Sequence, residues 1–291
     1  MKNMPGYFPK SLSEALLILK DAKEKGLKLK IAAGCTDILP RAESFPDIFA
    51  DGIIDITDIE ELKSIGIKDG KLVIGSCVTH TQLAESPIIR EKAGALASAA
   101  SEIGSPQIRN RGTIGGNICN ASPVGDTLPS MYVLNAVMRI VSADENGCIM
   151  ERMVPVKDFI KGPGRTDIGP YEILAGIYAE IPSENEIFRY IRSSARKALA
   201  ISKSSVAFRG IKENGRFRSV RIALGCVGPV IKEGIACKEL IESGEVSDSM
   251  ADRLEEAVAK DCSPIDDLRS TKEYRSYIVS VFLKKIIMGQ E

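Results

Sequence analysis

Leu12, Leu16 and Leu19 recur at helical spacing behind Ser11, and Glu14 completes the S-x-x-E pattern of a capping box. The pattern predicts a helix that starts at Ser11 and ends at Gly26, a residue suited to a left-handed C-terminal cap. From there the period shortens. Leu27, Leu29 and Ile31 alternate with lysines, which predicts a strand with one buried face. That strand runs into Ala32-Ala33-Gly34-Cys35-Thr36-Asp37, a turn of small residues. An apolar segment follows at Gly52–Ile56, strands are predicted at Lys71–Ser76, Val137–Val141 and Glu172–Ile181, and helices over 94–103 and 126–135. Between those helices lies the densest cluster of turn signals in the chain, Gly104 through Gly125.

Beyond Pro182 the pattern changes. Strand-like runs at Ser204–Lys212 and Arg216–Val227 flank Asn214-Gly215, a strong hairpin signal. Amphipathic helices are predicted at about 235–243, 249–260 and 272–288. The change in character puts a domain boundary near residues 178–186 of the 291.

Composition narrows the function classes. Lys plus Arg equal Asp plus Glu at 39 each, so the basic surplus of a nucleic-acid footprint is missing. The N-terminus lacks the apolar core of a signal peptide, and no apolar stretch approaches the ~18 residues of a membrane span. Seven scattered cysteines with no C-x-x-C pair suggest neither zinc site nor disulfide framework and fit a reducing cytoplasm. His80 is the only histidine, which rules out a two-histidine metal site; a structural or capping role suits it best.

Two glycine-containing turns carry the chemistry. One is Lys30-Ile31-Ala32-Ala33-Gly34-Cys35-Thr36-Asp37, directly after a strand; the other is Thr113-Ile114-Gly115-Gly116-Asn117. Glycine lets backbone N–H groups approach a phosphate closely, and small hydroxyl and amide side chains add bonds to phosphate or ribose. Neither turn is a G-x-G-x-x-G fingerprint or a Walker loop. Either could be an ordinary tight turn, but two of them could grip one pyrophosphate from both sides.

In combination these segments resemble the flavin subunit of the molybdenum hydroxylases: bacterial xanthine dehydrogenase, carbon monoxide dehydrogenase and 4-hydroxybenzoyl-CoA reductase. Ala33–Asp37 is similar to that family's A-G-G-T-D segment and Thr113–Asn117 to its T-I-G-G-N segment, preceded by Ser105–Asn110. Asn120–Asp126, Gly162–Gly164, Glu172–Leu174 and Asp266–Arg275 follow in the family's order, across nearly the whole chain. The resemblance implies an α+β fold: a two-lobed FAD-binding domain of the vanillyl-alcohol-oxidase (PCMH) type and a small C-terminal α+β domain of the CO dehydrogenase flavoprotein type. The domains fall at 1–178, with lobes of about 1–57 and 58–178, and at 186–288. It also implies that both turns bind FAD, chiefly through backbone amides, that Asp126 and Leu174 contact it, and that Arg192 stands where the family commonly has Lys. Two departures from the pattern are Cys35, in place of a second glycine, and Arg192 itself. Cys35 is costly if φ is positive there. No catalytic or metal-ligating residue is implied on this chain. An insertion with clustered cysteines, expected in the 4-hydroxybenzoyl-CoA reductase branch, is missing.

The implied role is electron transfer. A large partner subunit carries molybdopterin, a small one carries 2Fe-2S clusters, and FAD on this chain passes electrons to NAD+ or another acceptor. The details lean toward purine-oxidising members, and one face should expose apolar surface for partners. The alternatives are a stand-alone flavoprotein reductase of the same fold and a non-enzymatic assembly module. The tail after residue 182 contains no histidine to serve the first, and the second has no use for both turns and Asp126.

Overall fold

Ser11 caps the first helix, Leu12–Glu24, with its hydroxyl accepting from the Glu14 N–H. Glu14 reaches past Ser11 and accepts from the Lys10 N–H, so the box is only half closed. Leu12, Leu16 and Leu19 are buried against a small parallel sheet of β1 (Gly6–Tyr7), β2 (Leu29–Ala32) and β3 (Gly52–Asp55), in the order β1-β3-β2. The computed structural model describes residues 5–45, 51–196 and 199–290, so residues 1–4 and 46–50 of this first lobe lie outside the described residues.

The second lobe is built on β4 (Ile65–Lys68), β5 (Lys71–Gly75), β6 (Val137–Ala143) and β7 (Ile149–Pro155). A two-stranded ribbon of β8 (Ile160–Gly162) and β9 (Arg165–Thr166) then leads into β10 (Ile173–Glu180). The main sheet is antiparallel, in the order β4-β5-β10-β6-β7. Its central position explains why β10 is the most continuously apolar run of the chain, with both faces covered.

A third sheet holds β11 (Glu186–Ser194), β12 (Ser202–Glu213), β13 (Arg216–Gly225) and β14 (Lys232–Glu233), also antiparallel. Asn214 and Gly215 take φ of +48° and +77°, the pair of left-handed conformations that a tight hairpin requires. Period-two alternation then sorts the side chains. Phe188, Tyr190, Ala207 and Ala223 join the core under helices Gly94–Ser101 and Leu128–Val133. Val206, Phe208, Ile222 and Leu224 face helices Ile235–Glu242, Leu254–Asp261 and Lys272–Met288. The third sheet is thus shared: one face seals the second lobe, the other carries the terminal helices.

Several predicted elements differ. The segment read as turns holds two short helices, Pro106–Arg111 and Ile114–Asn120, each started by a hydroxyl cap, Ser105 and Thr113. Caps and tertiary packing outweigh the glycine-rich composition there. The helix predicted over 249–260 is broken into Asp248–Asp252 and Leu254–Asp261, and that over 126–135 is confined to Leu128–Val133. Among the described residues no helix is long and apolar enough to cross a membrane.

Candidate functional site

Strand β2 delivers Lys30 and Ile31 to the rim of a cleft of about 650 Å3 between the two lobes. The chain then turns so that Ala33, Gly34, Cys35, Thr36 and Asp37 continue the wall before helix Ile38–Ser44 begins. Thr113, Gly115, Gly116 and Asn117 line the same cleft, as does Leu174 of β10. The two turns touch. A Cβ built on Gly34 would lie 1.8 Å from the Arg111 carbonyl oxygen, so no other residue lets the first turn close on Arg111 and Gly112, which lead into the second. Gly115 is similarly tight, 2.6 Å from the Ser76 carbonyl, whereas Gly116 meets only the Thr113 hydroxyl at 3.0 Å.

The turns offer different hydrogen-bonding groups. In the second, Ile114 N–H donates to Val78 O, Gly115 N–H to Ser76 O, Gly116 N–H to Thr113 Oγ1 and Asn117 N–H to Thr113 O. Its amides are already engaged, so side chains and the glycine faces are what it presents to the cleft. In the first turn the N–H groups of Gly34, Cys35, Thr36 and Asp37 donate to no acceptor among the described residues. Cys35 has φ +59°, the left-handed region where glycine is at ease, and its thiol donates to Ala33 O at 3.2 Å. Burial raises the Cys35 thiol above its ordinary pKa, with Asp55 adding to the shift.

Lys30 lines the cleft with no carboxylate within ion-pair distance among the described residues, while Arg41 is paired with Asp37 at 3.3 Å. The rest of the wall is largely apolar: Ile31, Ile38, Ile56, Ile103, Ile108 and Ile168. One flank is the loop Asp167–Glu172, clamped by Arg152, which donates to both Glu172 oxygens (2.8 and 2.7 Å) and to Asp167. Glu172 also accepts from the Gly169 N–H, and its carboxylate is held below the usual range first by Arg152.

Four residues assigned from sequence do not line this cleft. Ala32 and Ile114 are core residues behind it. Asp126 and Arg192 form a closed network: Asp126 accepts from Tyr190 Oη (2.8 Å), Ser202 Oγ (2.5 Å) and Arg192 Nη1 (3.0 Å). Burial raises the Asp126 carboxyl above its ordinary pKa.

His80, expected to be structural, is buried in the wall. Thr79 caps its helix, and the imidazole lies beside Gly112 near the Thr36 hydroxyl. Its Nδ1 is buried without a partner, and burial lowers its pKa to about 4, so the ring is neutral at pH 7. A lone histidine at a helix start carries no sequence signal for this placement.

The fit of a dinucleotide flavin can be judged on these features. Open amides and the Lys30 ammonium suit a pyrophosphate, the glycine contacts bring backbone within reach, and an apolar wall suits a flat ring. The volume lies in the ordinary range for cofactor clefts, roughly 300–1,000 Å3. The residues present fit FAD.

Comparison with known proteins agrees. Residues 2–183 match the family model described as the FAD binding domain in molybdopterin dehydrogenase, and residues 189–289 that of the CO dehydrogenase flavoprotein C-terminal domain. The chain is 31% identical over 279 residues to a putative xanthine dehydrogenase FAD-binding subunit of Escherichia coli K12, covering 95% of this chain and 92% of that one. It is 34% identical over 209 residues to the nicotinate dehydrogenase FAD-subunit of Eubacterium barkeri, over 69% and 67% of the two chains. A solved structure of carbon monoxide dehydrogenase from Hydrogenophaga pseudoflava superposes with a TM-score of 0.87 at 26% identity, over 98% of this chain and 96% of that chain. The two-lobed α+β architecture and its C-terminal domain are therefore those of this family, and the chain belongs to the FAD-binding subunits of the molybdenum hydroxylases.

Proposed function

We propose that this chain is the electron-transferring flavin subunit of a xanthine dehydrogenase-like complex. The observation that carries the reading is the pairing, in one cleft, of a turn with open amides and a glycine-dependent contact to the second turn. Lys30, Ile31, Ala33, Gly34, Cys35, Thr36 and Asp37 hold the pyrophosphate and its neighbours. Thr113, Gly115, Gly116, Asn117 and Leu174 supply the facing wall, with Ala32 and Ile114 anchoring the two turns from behind. Asp126 and Arg192 act at the edge of the site. The functional division is 1–178 for cofactor binding and 186–288 for the cover.

Bound FAD supplies the conversion between one-electron delivery from 2Fe-2S clusters of a small partner and two-electron transfer to NAD+ or another acceptor. The chain's own residues bind, orient and shield; no general base is needed. The molybdopterin centre lies on a large partner, and the exposed Ile265, Leu268, Tyr274 and Tyr277 give the C-terminal domain apolar surface for assembly. The scattered cysteines support a cytoplasmic complex. Stopped-flow mixing of the assembled complex with a purine substrate tests the reading. Flavin bleaching followed by NADH formation supports it, whereas substrate oxidation with an unchanging flavin spectrum refutes it.

A further inference from the structure

Arg192 stands on β11, in the C-terminal domain, and its side chain is 3% exposed. Its guanidinium is fully engaged. Nε donates to the Glu102 carboxylate and Nη2 to the Glu102 carbonyl oxygen at 2.7 Å. Nη1 donates to Asp126 Oδ2 at 3.0 Å, and to Ala200 O and Ser202 Oγ at 3.3 Å each. None of this reaches into the cleft. The next residue after Glu102 does: Ile103 lines it. From the other side Arg109 Nη1 donates to the Ile103 carbonyl at 3.0 Å. Gly104 follows at φ +50°, with Ile108 within 2.9 Å of where its Cβ would be. The corner 102–104 is therefore fixed by one arginine from each domain, and through Ile103 it contributes to the cleft wall.

We infer that Arg192 is a positioning residue: by gripping both the carboxylate and the carbonyl of Glu102 it sets the Ile103 wall, and so couples the seating of the C-terminal domain to the shape of the cofactor site. The inference rests on the FAD reading above for its functional consequence, but the grip itself belongs to the cofactor-free chain. A planar fork is needed. A lysine ammonium is a point charge that can satisfy Asp126 but cannot also span the two Glu102 acceptors. Arg192 thus reaches the cofactor through Glu102 and Ile103, not by contact.

The test uses the full chain with Arg192→Lys, Glu102→Ala, the double variant and Ile103→Ala. Amide hydrogen exchange of the cofactor-free proteins should show the Ile103 N–H, which donates to Ala100 O at 3.3 Å, exchanging faster in the first three. Unchanged protection in Arg192→Lys overturns the inference whether or not FAD binds. FAD titration should show Arg192→Lys and Glu102→Ala each weakening binding about tenfold, with the double variant no worse than the poorer single. All four should shift the visible circular dichroism of bound flavin in the same sense. If Glu102→Ala binds FAD with wild-type affinity and spectrum while Arg192→Lys does not, Arg192 acts directly and the inference fails. Should Arg192→Lys not fold, Glu102→Ala and Ile103→Ala decide alone. A wild-type chain that binds no FAD defeats the proposed function instead, and hydrogen exchange still judges the grip.

Discussion

Gly34 and Cys35 sit side by side with opposite demands. Gly34 is needed for space, since any Cβ meets Arg111 O at 1.8 Å, while Cys35 occupies a conformation that favours glycine. Gly34→Ala should therefore force the turns apart and weaken FAD binding at least about tenfold, Gly115→Ala less, and Gly116→Ala least, in a fluorescence titration. Cys35→Gly should do the reverse and raise stability by up to about 1 kcal/mol, since left-handed strain of about 1–2 kcal/mol is relieved against part of that in chain entropy. A fall in the unfolding midpoint would contradict this. The sequence showed that Cys35 replaces a glycine but not which sign φ takes. It gave His80 a structural or capping role but not its place in the cleft wall, and its partnerless nitrogen is a matter of packing.

His80 also predicts a pH dependence. Its folded pKa of about 4 lies below the ordinary 6.5, so the fold favours the neutral ring. That contribution is whole above pH 6.5. As pH falls toward 4 the unfolded chain gains a proton that the folded one refuses, and about 3 kcal/mol is lost. Because no other histidine is present, the difference between wild type and His80→Gln in denaturant unfolding from pH 7 to 4 should isolate the effect. Parallel curves would show that the ring is not desolvated.

Among the elements, those whose apolar period is strong stood out from the sequence: the first helix, β5, β6, β10 and the β12–β13 hairpin. β7 escaped because it is an edge strand exposed over most of its length, and β11 because Arg189 and Arg192 interrupt its apolar run. The two short helices around Gly112 escaped because their stability comes from Ser105 and Thr113 caps and from packing, not from periodicity. The Asp167–Glu172 loop is held to the cleft by one arginine on β7. Arg152→Leu should weaken FAD binding a few-fold while costing the fold only about 1 kcal/mol, since the pair is partly solvated. Equal losses in binding and stability would make the clamp a purely structural feature.

At the scale of the molecule, the third sheet is shared: one face packs on the second lobe and the other carries the terminal helices. Its junction with the second lobe is sealed by Arg209, 8% exposed, which pairs with Glu180 of β10 and in bidentate fashion with Glu186 of β11. Arg209→Met should leave Glu186 buried without its cation and cost about 3 kcal/mol, most of it recovered by Glu186→Leu in the same chain. Failure of the second change to rescue would mean that the pair does more than balance charge. Such long-range pairings, like Arg192 with Asp126 across 66 positions, leave no trace in local sequence. The order of motifs made the family legible; which side chains face the cleft and which lie behind it came only with the structure.

The central claim is that this chain by itself holds FAD between its two glycine turns. The direct measurement is the near-ultraviolet and visible absorbance of the purified chain, before and after heat release, with chromatography of what is released. A flavin spectrum and an equimolar amount of FAD are expected. A folded chain that stays colourless after incubation with excess FAD would contradict it and leave the turns as ordinary structure in an assembly module.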